Sequence, residues 1–422
     1  MNLLVFRKIN LLFSLYLFLI LSDWLGKFIP IPLGSRHLLI LILPILAISS
    51  FKAERRTLMY FFSLTLVAIL SFGYGNADFF NFSVGYLFTF LFFIVHIIFY
   101  NINISNSQLI KLLKYIVHVN LILALPTLIG GLSDFDLRNH AGVFREVGAF
   151  ATTMMCSQII CLFLYRVTYE QKYFNFAVIF SVICLLTILK KTMFLSLFIW
   201  ALYALFYLNW RQWLLNPKSW FIGITVSSIM FAPLANNLSI NAAYLSNVGV
   251  DAHVRLGMYV TGIKLSQDFA PLGSGLGTFG SLGSIINNPI AEGKFDYRFN
   301  EIYYTYNIDS LAGNSEERAR EGGMTILDTY WPHILGELGI FGLVGIFWFW
   351  TGKVLFLIRR KNTFNTMACG GAFYICAVYS AVIGEGLALI QPELPFFIFF
   401  HAGIGGLFLR LISDNNMKKY DS

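Results

Sequence analysis

Apolar stretches of membrane-crossing length follow one another along almost the whole chain, and no other feature restricts the fold as much. Crossing the hydrocarbon core takes about 20 apolar residues in helical form. Such stretches run at 9–29, 37–51, 57–75, 82–100, 109–131, 147–166, 172–190, 191–209, 218–235, 328–358, 364–387 and 394–412. The second is short, and the seventh and eighth nearly touch at Lys190–Lys191. The expectation is an all-α polytopic membrane protein of about twelve transmembrane helices. Composition agrees, since 57% of the residues are hydrophobic and only 12% are charged, against about a quarter charged in soluble domains.

The basic residues set an orientation. Counted from a cytoplasmic N-terminus, the loops expected inside carry Arg7 and Lys8, Lys52, Arg55 and Arg56, Lys111 and Lys114, Arg166 and Lys172, Arg211 and Lys218, and Arg359 to Lys361. The tail adds Lys418 and Lys419, while the outside loops at 73–81 and 388–393 have no Lys or Arg. This alternation follows the positive-inside rule along the chain and places both termini in the cytoplasm. The same rule accounts for the net charge of +8, so no nucleic-acid partner is implied. Arg7 and Lys8 before an apolar run imitate a signal peptide. The run continues to about Phe28 with no small-x-small site after Ser22, so a retained first helix is expected. The five cysteines fall inside apolar runs without a CxxC pair, which points to neither a disulfide framework nor a metal site. No internal repeat is visible, which disfavours transporter folds built from duplicated halves.

One long polar interval, Asn236–Leu327, breaks the apolar pattern. It divides the chain into 1–235 with nine helices, a large outer loop at 236–327, and 328–422 with three helices and a cytoplasmic tail. A loop of that length is usually functional. Basic residues on the outer face run against the topological bias and need another cause. They are Arg138, Arg145, Lys190, Lys191, Arg255 and Lys264, and binding an anion is the simplest cause.

Each outer segment carries a chemical reading and a plainer one. In LRNHAGVFREVGAFAT, Arg138 and Arg145 are either anion ligands or a pair snorkelling to the headgroups. Glu146 is either a catalytic carboxylate or an acid favoured by the macrodipole at the start of the sixth helix. Lys190 and Lys191 interrupt a hydrophobic hairpin, and headgroup phosphates compete with a functional partner for Lys191. In DAHVRLGMYVTGIKLSQDFAPLGSGLGTF, Val254, Met258, Ile263 and Leu265 suggest a short surface helix ending before Pro271. Gly273, Gly275 and Gly277 then predict a flexible turn, a weak phosphate-binding signal because it lacks the strand-before, helix-after context. Arg255 is the stronger anion candidate there. In DTYWPHILGELGIFG, Asp328, His333 and Glu337 do not share one helical face. Asp328 is a base or an N-cap, and His333 is a base or a wall residue bonded to a carbonyl.

Taken together, these segments resemble the bacterial O-antigen polymerase and ligase superfamily, the Wzy/WaaL-type membrane glycosyltransferases. The run from Arg138 to Glu146 is similar to the family's Arg–x–x–Gly–x–Phe–x–Glu-like stretch. Lys190–Lys191–Thr192 stands where members carry a basic hairpin, commonly Ser-Arg. Arg255 through PLGSGLGTF resembles the family's arginine, helix and glycine turn. Asp328 through Glu337, Gly339 and Gly342 resembles its helix ending E-x-G-x-x-G. The likeness spans about 137–342. Ligases typically begin that last helix with His-Asn, where this chain has Asp328–Thr329, which shifts the reading toward a polymerase.

The resemblance implies a GT-C-like scaffold in the bacterial inner membrane with its active site facing the periplasm. It implies polymerisation of undecaprenyl-pyrophosphate-linked repeat units of O-antigen or a similar surface polysaccharide, by inverting transfer. No metal or other cofactor is expected. Arg138, Arg145, Lys191 and Arg255 would face the leaving pyrophosphate, where fixed cations stabilise the transition state. Glu146, Asp328 and His333 compete to deprotonate the acceptor hydroxyl. Tyr297, Tyr303, Tyr304, Tyr306 and Trp331 either stack on sugars or are interfacial aromatics. Membrane lipid and the pathway's chain-length regulator and flippase are the implied partners. The rivals are an O-antigen ligase acting on lipid A-core and, from another class, a lipid-linked oligosaccharide flippase. Transport would require ionisable residues along a deep path, whereas His96, His118, Lys353 and His401 are expected to lie buried and scattered.

Overall fold

The computed structural model describes residues 2–25, 54–75, 79–131, 144, 147–187, 190–208, 254–279, 330–385 and 395–418. Every regular element among them is helical. In chain order these are α1 (Asn2–Leu25), α2 (Arg55–Tyr74), α3 (Phe79–Tyr100), α4 (Asn106–Gly131), α5 (Val147–Thr168), α6 (Gln171–Leu186), α7 (Lys190–Tyr207), α8 (Val254–Asp268), α9 (Tyr330–Arg360), α10 (Thr366–Glu385) and α11 (Pro395–Lys418), with a 3₁₀ turn at Lys361–Thr363. By length and apolarity α2, α4, α5, α9 and α10 each suffice to cross a membrane. The count of such spans among the described residues rises to six if the two parts of α3 form one broken span. The protein is therefore a multi-pass membrane protein, all-helical among the described residues. The stretches expected at 37–51 and 218–235 lie outside the described residues.

The chain forms two compact units: Met1–Leu64 with Thr89–Phe206 and Gly345–Ser422, and Thr65–Phe88 with Tyr207–Val344. In the first, α5 is the central helix. Its residues Ala149 to Leu164 are all buried, and it packs against α4, α6, α10 and α11, while α1 packs on α4 and α11. Lipid tails are as apolar as leucine, so such helices associate through close packing and polar links. Both are present. The Cβ position of Gly371 lies 2.8 Å from the Phe408 ring, and that of Gly403 lies 2.7 Å from Phe99. Asn120 accepts from Tyr16 and donates to Ser157, both at 2.8 Å. Gln158 exchanges hydrogen bonds with Ser196.

Two expectations are corrected here. His118 is exposed on α4, with Nδ1 2.6 Å from the Lys114 carbonyl oxygen, one turn away. The remaining deep groups each have a partner. Lys353 bonds Glu54 and Thr57, and His96 and His401 meet the hydroxyls of Tyr379 and Tyr374. The α6–α7 break also lies earlier than the lysines. Helix α6 ends at Thr187, whose N–H bonds the Ile183 carbonyl and whose hydroxyl bonds that of Cys184. Helix α7 restarts at Lys190, so Lys190 and Lys191 occupy its first turn instead of forming the interruption.

At the α5–α6 turn, Tyr169 adopts φ 58°, and Glu170 accepts from Lys114 and Lys172, each at 2.6 Å. Hydrogen bonds from these two ammonium groups, Lys114 first, hold the Glu170 carboxyl well down, at about 2.

Candidate functional site

The second unit holds a buried polar knot where the glycine-rich turn at 271–279 meets α9. The turn owes its shape to glycine. Gly273, Gly275 and Gly277 have φ of 75°, 98° and 85°, a region that side chains disfavour and glycine enters freely. The curl aims two N–H groups at one carboxylate. Glu337 Oε2 accepts from Gly277 at 2.9 Å and Oε1 accepts from Phe279 at 2.6 Å. Glu337 is fully buried, and a carboxylate there is tolerated only with such partners.

Helix α9 is shaped to receive the turn. Gly339 breaks its helical dihedrals with φ 63° and ψ −165°, and carbonyls next to a break need donors from elsewhere. The turn supplies them: Ser274 N–H donates to the Gly336 oxygen at 2.9 Å and Gly275 N–H to the Glu337 oxygen at 3.0 Å. The hydroxyl of Ser71, near the end of α2, adds a 2.7 Å bond to the Glu337 carbonyl. The fit leaves no room for side chains. A Cβ on Gly85 would lie 2.9 Å from the Gly277 nitrogen, and one on Gly262 of α8 would lie 2.7 Å from the Pro332 oxygen.

His333, one turn before Glu337, completes the knot. Its Nδ1 lies 3.0 Å from the Phe279 carbonyl oxygen and 3.3 Å from Glu337 Oε1. A carbonyl oxygen only accepts, so Nδ1 carries a proton. Carboxylate and carbonyl together fix the ring's orientation.

The phosphate reading of the turn changes accordingly. The turn is not an open phosphate cradle, because residues 273–279 are buried and the N–H groups of Ser274, Gly275, Gly277 and Phe279 already donate to α9. Helix α8 lies on the surface by one face. Thr261, Gly262 and Leu265 are buried, while Ile263, expected on the apolar stripe, is 46% exposed. The close approach uses glycine, and an apolar side chain in a membrane protein has no need to face inward.

No family model matches this sequence, and no curated protein does.

Of the seven candidate residues, His333 is placed in full. Lys191 lies in the first turn of α7 and Arg255 in the first turn of α8, at the positive end of each helix macrodipole, where a cation is unfavourable unless an anion joins it. Arg138, Arg145, Glu146 and Asp328 lie outside the described residues, as do Tyr297, Tyr303, Tyr304 and Tyr306. Phe144, between the two arginines in sequence, is fully buried with its ring centroid 5.6 Å from that of Phe150, and α5 begins at Val147, directly after Glu146. Trp331 is half-buried at the start of α9. The residue that sequence reasoning left without a role is Glu337. Its signal was available: a carboxylate inside an apolar helix must find donors, and a glycine-rich turn is the most accessible source of aligned N–H groups.

Proposed function

We propose that this chain is a membrane glycosyltransferase that polymerises undecaprenyl-pyrophosphate-linked oligosaccharide repeat units at the periplasmic face of the bacterial inner membrane. One observation carries the reading. The glycine turn PLGSGLGTF and the E-x-G-x-x-G helix, two separate pieces of the family resemblance, interlock through the Gly277–Glu337 bond across 60 residues of sequence. Motifs that only share a sequence have no reason to share a buried hydrogen-bond network. Motifs that build one site do.

In this reading the acceptor sugar hydroxyl attacks the anomeric carbon of the donor as the bond to pyrophosphate breaks, with inversion. Arg138, Arg145, Arg255 and Lys191 take up the charge growing on the leaving pyrophosphate. The hydroxyl proton passes to Glu146, Asp328 or His333. For His333 the receiving atom is Nε2, because Nδ1 is committed to Phe279 and Glu337. The apolar helices accommodate the polyprenyl tail.

The experiment is reconstitution of the purified protein with synthetic undecaprenyl-pyrophosphate repeat units and no other protein. A ladder of products that is lost in Arg255→Ala is the expected result. Absence of a ladder, but transfer once lipid A-core is supplied, would make the chain a ligase. No transfer to either acceptor from folded protein overturns the glycosyltransferase reading and returns the flippase.

A further inference from the structure

Within the first unit, the part of α2 up to Leu64 and the part of α9 from Gly345 run antiparallel and meet at a few points. The Cβ position of Gly345 lies 2.7 Å from the Leu64 side chain, and the rings of Tyr60 and Phe349 are 5.4 Å apart. Farther along, Lys353 bonds both Glu54 and Thr57. The pairing ends at an aromatic ring between two arginines. The guanidinium carbon of Arg56 lies 4.5 Å from the Phe356 centroid and that of Arg360 lies 4.6 Å from it. The two charges are thus no more than about 9 Å apart.

Like charges brought together on one ring repel, and the ring's quadrupole offsets this only in part. A nearby carboxylate would resolve the conflict, yet neither arginine has one among the described residues. Glu54, two residues before Arg56, is engaged by Lys353 and by the 2.7 Å bond from Thr57. Both arginines are exposed. Their forks retain donors suited to phosphate oxygens. Next to them the same two helices present a bare apolar surface. Met59 and Phe62 are 59% and 63% exposed, and Leu355 and Trp348 are 51% and 62% exposed. A cationic end on an apolar strip matches a molecule with an anionic head and hydrocarbon tails.

We propose that Arg56, Phe356 and Arg360 form a binding site for the phosphate of an anionic glycerophospholipid, whose acyl chains lie along Met59, Phe62 and Leu355. The ring holds the two guanidiniums close enough that one phosphate beside it can meet both. The site is independent of the glycosyl-transfer reading, and occupancy by lipid requires only that the helices cross a bilayer.

The test is native mass spectrometry of the protein in detergent with added phosphatidylglycerol or phosphatidylcholine. Wild type and R55Q/R359Q, which loses the same charge from neighbouring positions, should retain phosphatidylglycerol equally. R56Q/R360Q should retain about tenfold less, as loss of a charge-assisted contact implies, with phosphatidylcholine unchanged. Should R56Q/R360Q fail to fold, Phe356→Leu keeps every charge and should still lower phosphatidylglycerol occupancy. Equal occupancy in R56Q/R360Q, or in Phe356→Leu, overturns the site. Equal loss in both double variants reduces it to diffuse attraction and overturns it as well. Complete displacement of phosphatidylglycerol by inorganic phosphate would identify a free-anion site and overturn the lipid assignment.

Discussion

Replacing Glu337 by Gln removes one oxygen from the polar knot at almost constant shape, which makes it a sharp probe of what holds the glycine turn. In the native protein both carboxylate oxygens accept backbone N–H groups, at 2.9 and 2.6 Å, and Oε1 also lies 3.3 Å from the His333 ring. Glutamine keeps one acceptor and turns an NH₂ group toward the other N–H, so a donor faces a donor in a fully buried place. The lost bond was charge-assisted, worth about 1.5–3 kcal/mol, and an unsatisfied buried donor costs about 1–3 kcal/mol more. Relaxation of the turn recovers part of this, so a loss of about 2–4 kcal/mol is expected. The assay is equilibrium unfolding in mixed detergent micelles, with Ser71→Ala as the reference. That variant removes one neutral bond to the Glu337 carbonyl and should lose about 1 kcal/mol. A Glu337→Gln protein no less stable than Ser71→Ala would refute the claim that the carboxylate anchors the turn.

Two further outcomes follow from the geometry. Gly339→Ala places a Cβ against the Pro271 oxygen and 2.7 Å from the Gly273 nitrogen, at φ 63°, so it should lower the unfolding midpoint more than any alanine at an exposed α9 position; backbone strain alone contributes about 1–3 kcal/mol. Glu170 has its carboxyl lowered from 4.5 to about 2 by Lys114 and Lys172, so its stabilising contribution is complete above pH 4.5 and fades as the pH falls toward 2. Glu170→Gln should therefore flatten the acid limb of a stability–pH curve between those values, and an unchanged limb in the variant would refute the assignment.

The parts of the fold read correctly from the sequence are those governed by a local property. Helices α2, α4 and α5 begin and end within a few residues of the apolar runs that announce them, because a chain segment in lipid must satisfy its own backbone whatever its neighbours do. The helix at Val254–Asp268 and the turn after Pro271 were equally legible from periodicity and glycine spacing. Errors arose where a partner decides. The α6–α7 break was expected at two conspicuous lysines, but Thr187 caps the preceding helix with its own hydroxyl and N–H. His118 is expected among the buried groups and Ile263 on the apolar stripe of a surface helix, and both are exposed.

By itself, then, the sequence determined that this chain is helical and built to cross a membrane, since hydropathy and backbone satisfaction act residue by residue. Only the tertiary structure decided that the glycine turn is buried against α9, that Glu337 is its anchor, and that His333 Nδ1 faces the Phe279 carbonyl and Glu337. Those properties depend on which donor meets which acceptor across 60 residues of chain. A hydrogen bond between such distant groups is fixed by the fold that brings them within 3 Å, and spacing along the sequence carries no record of it.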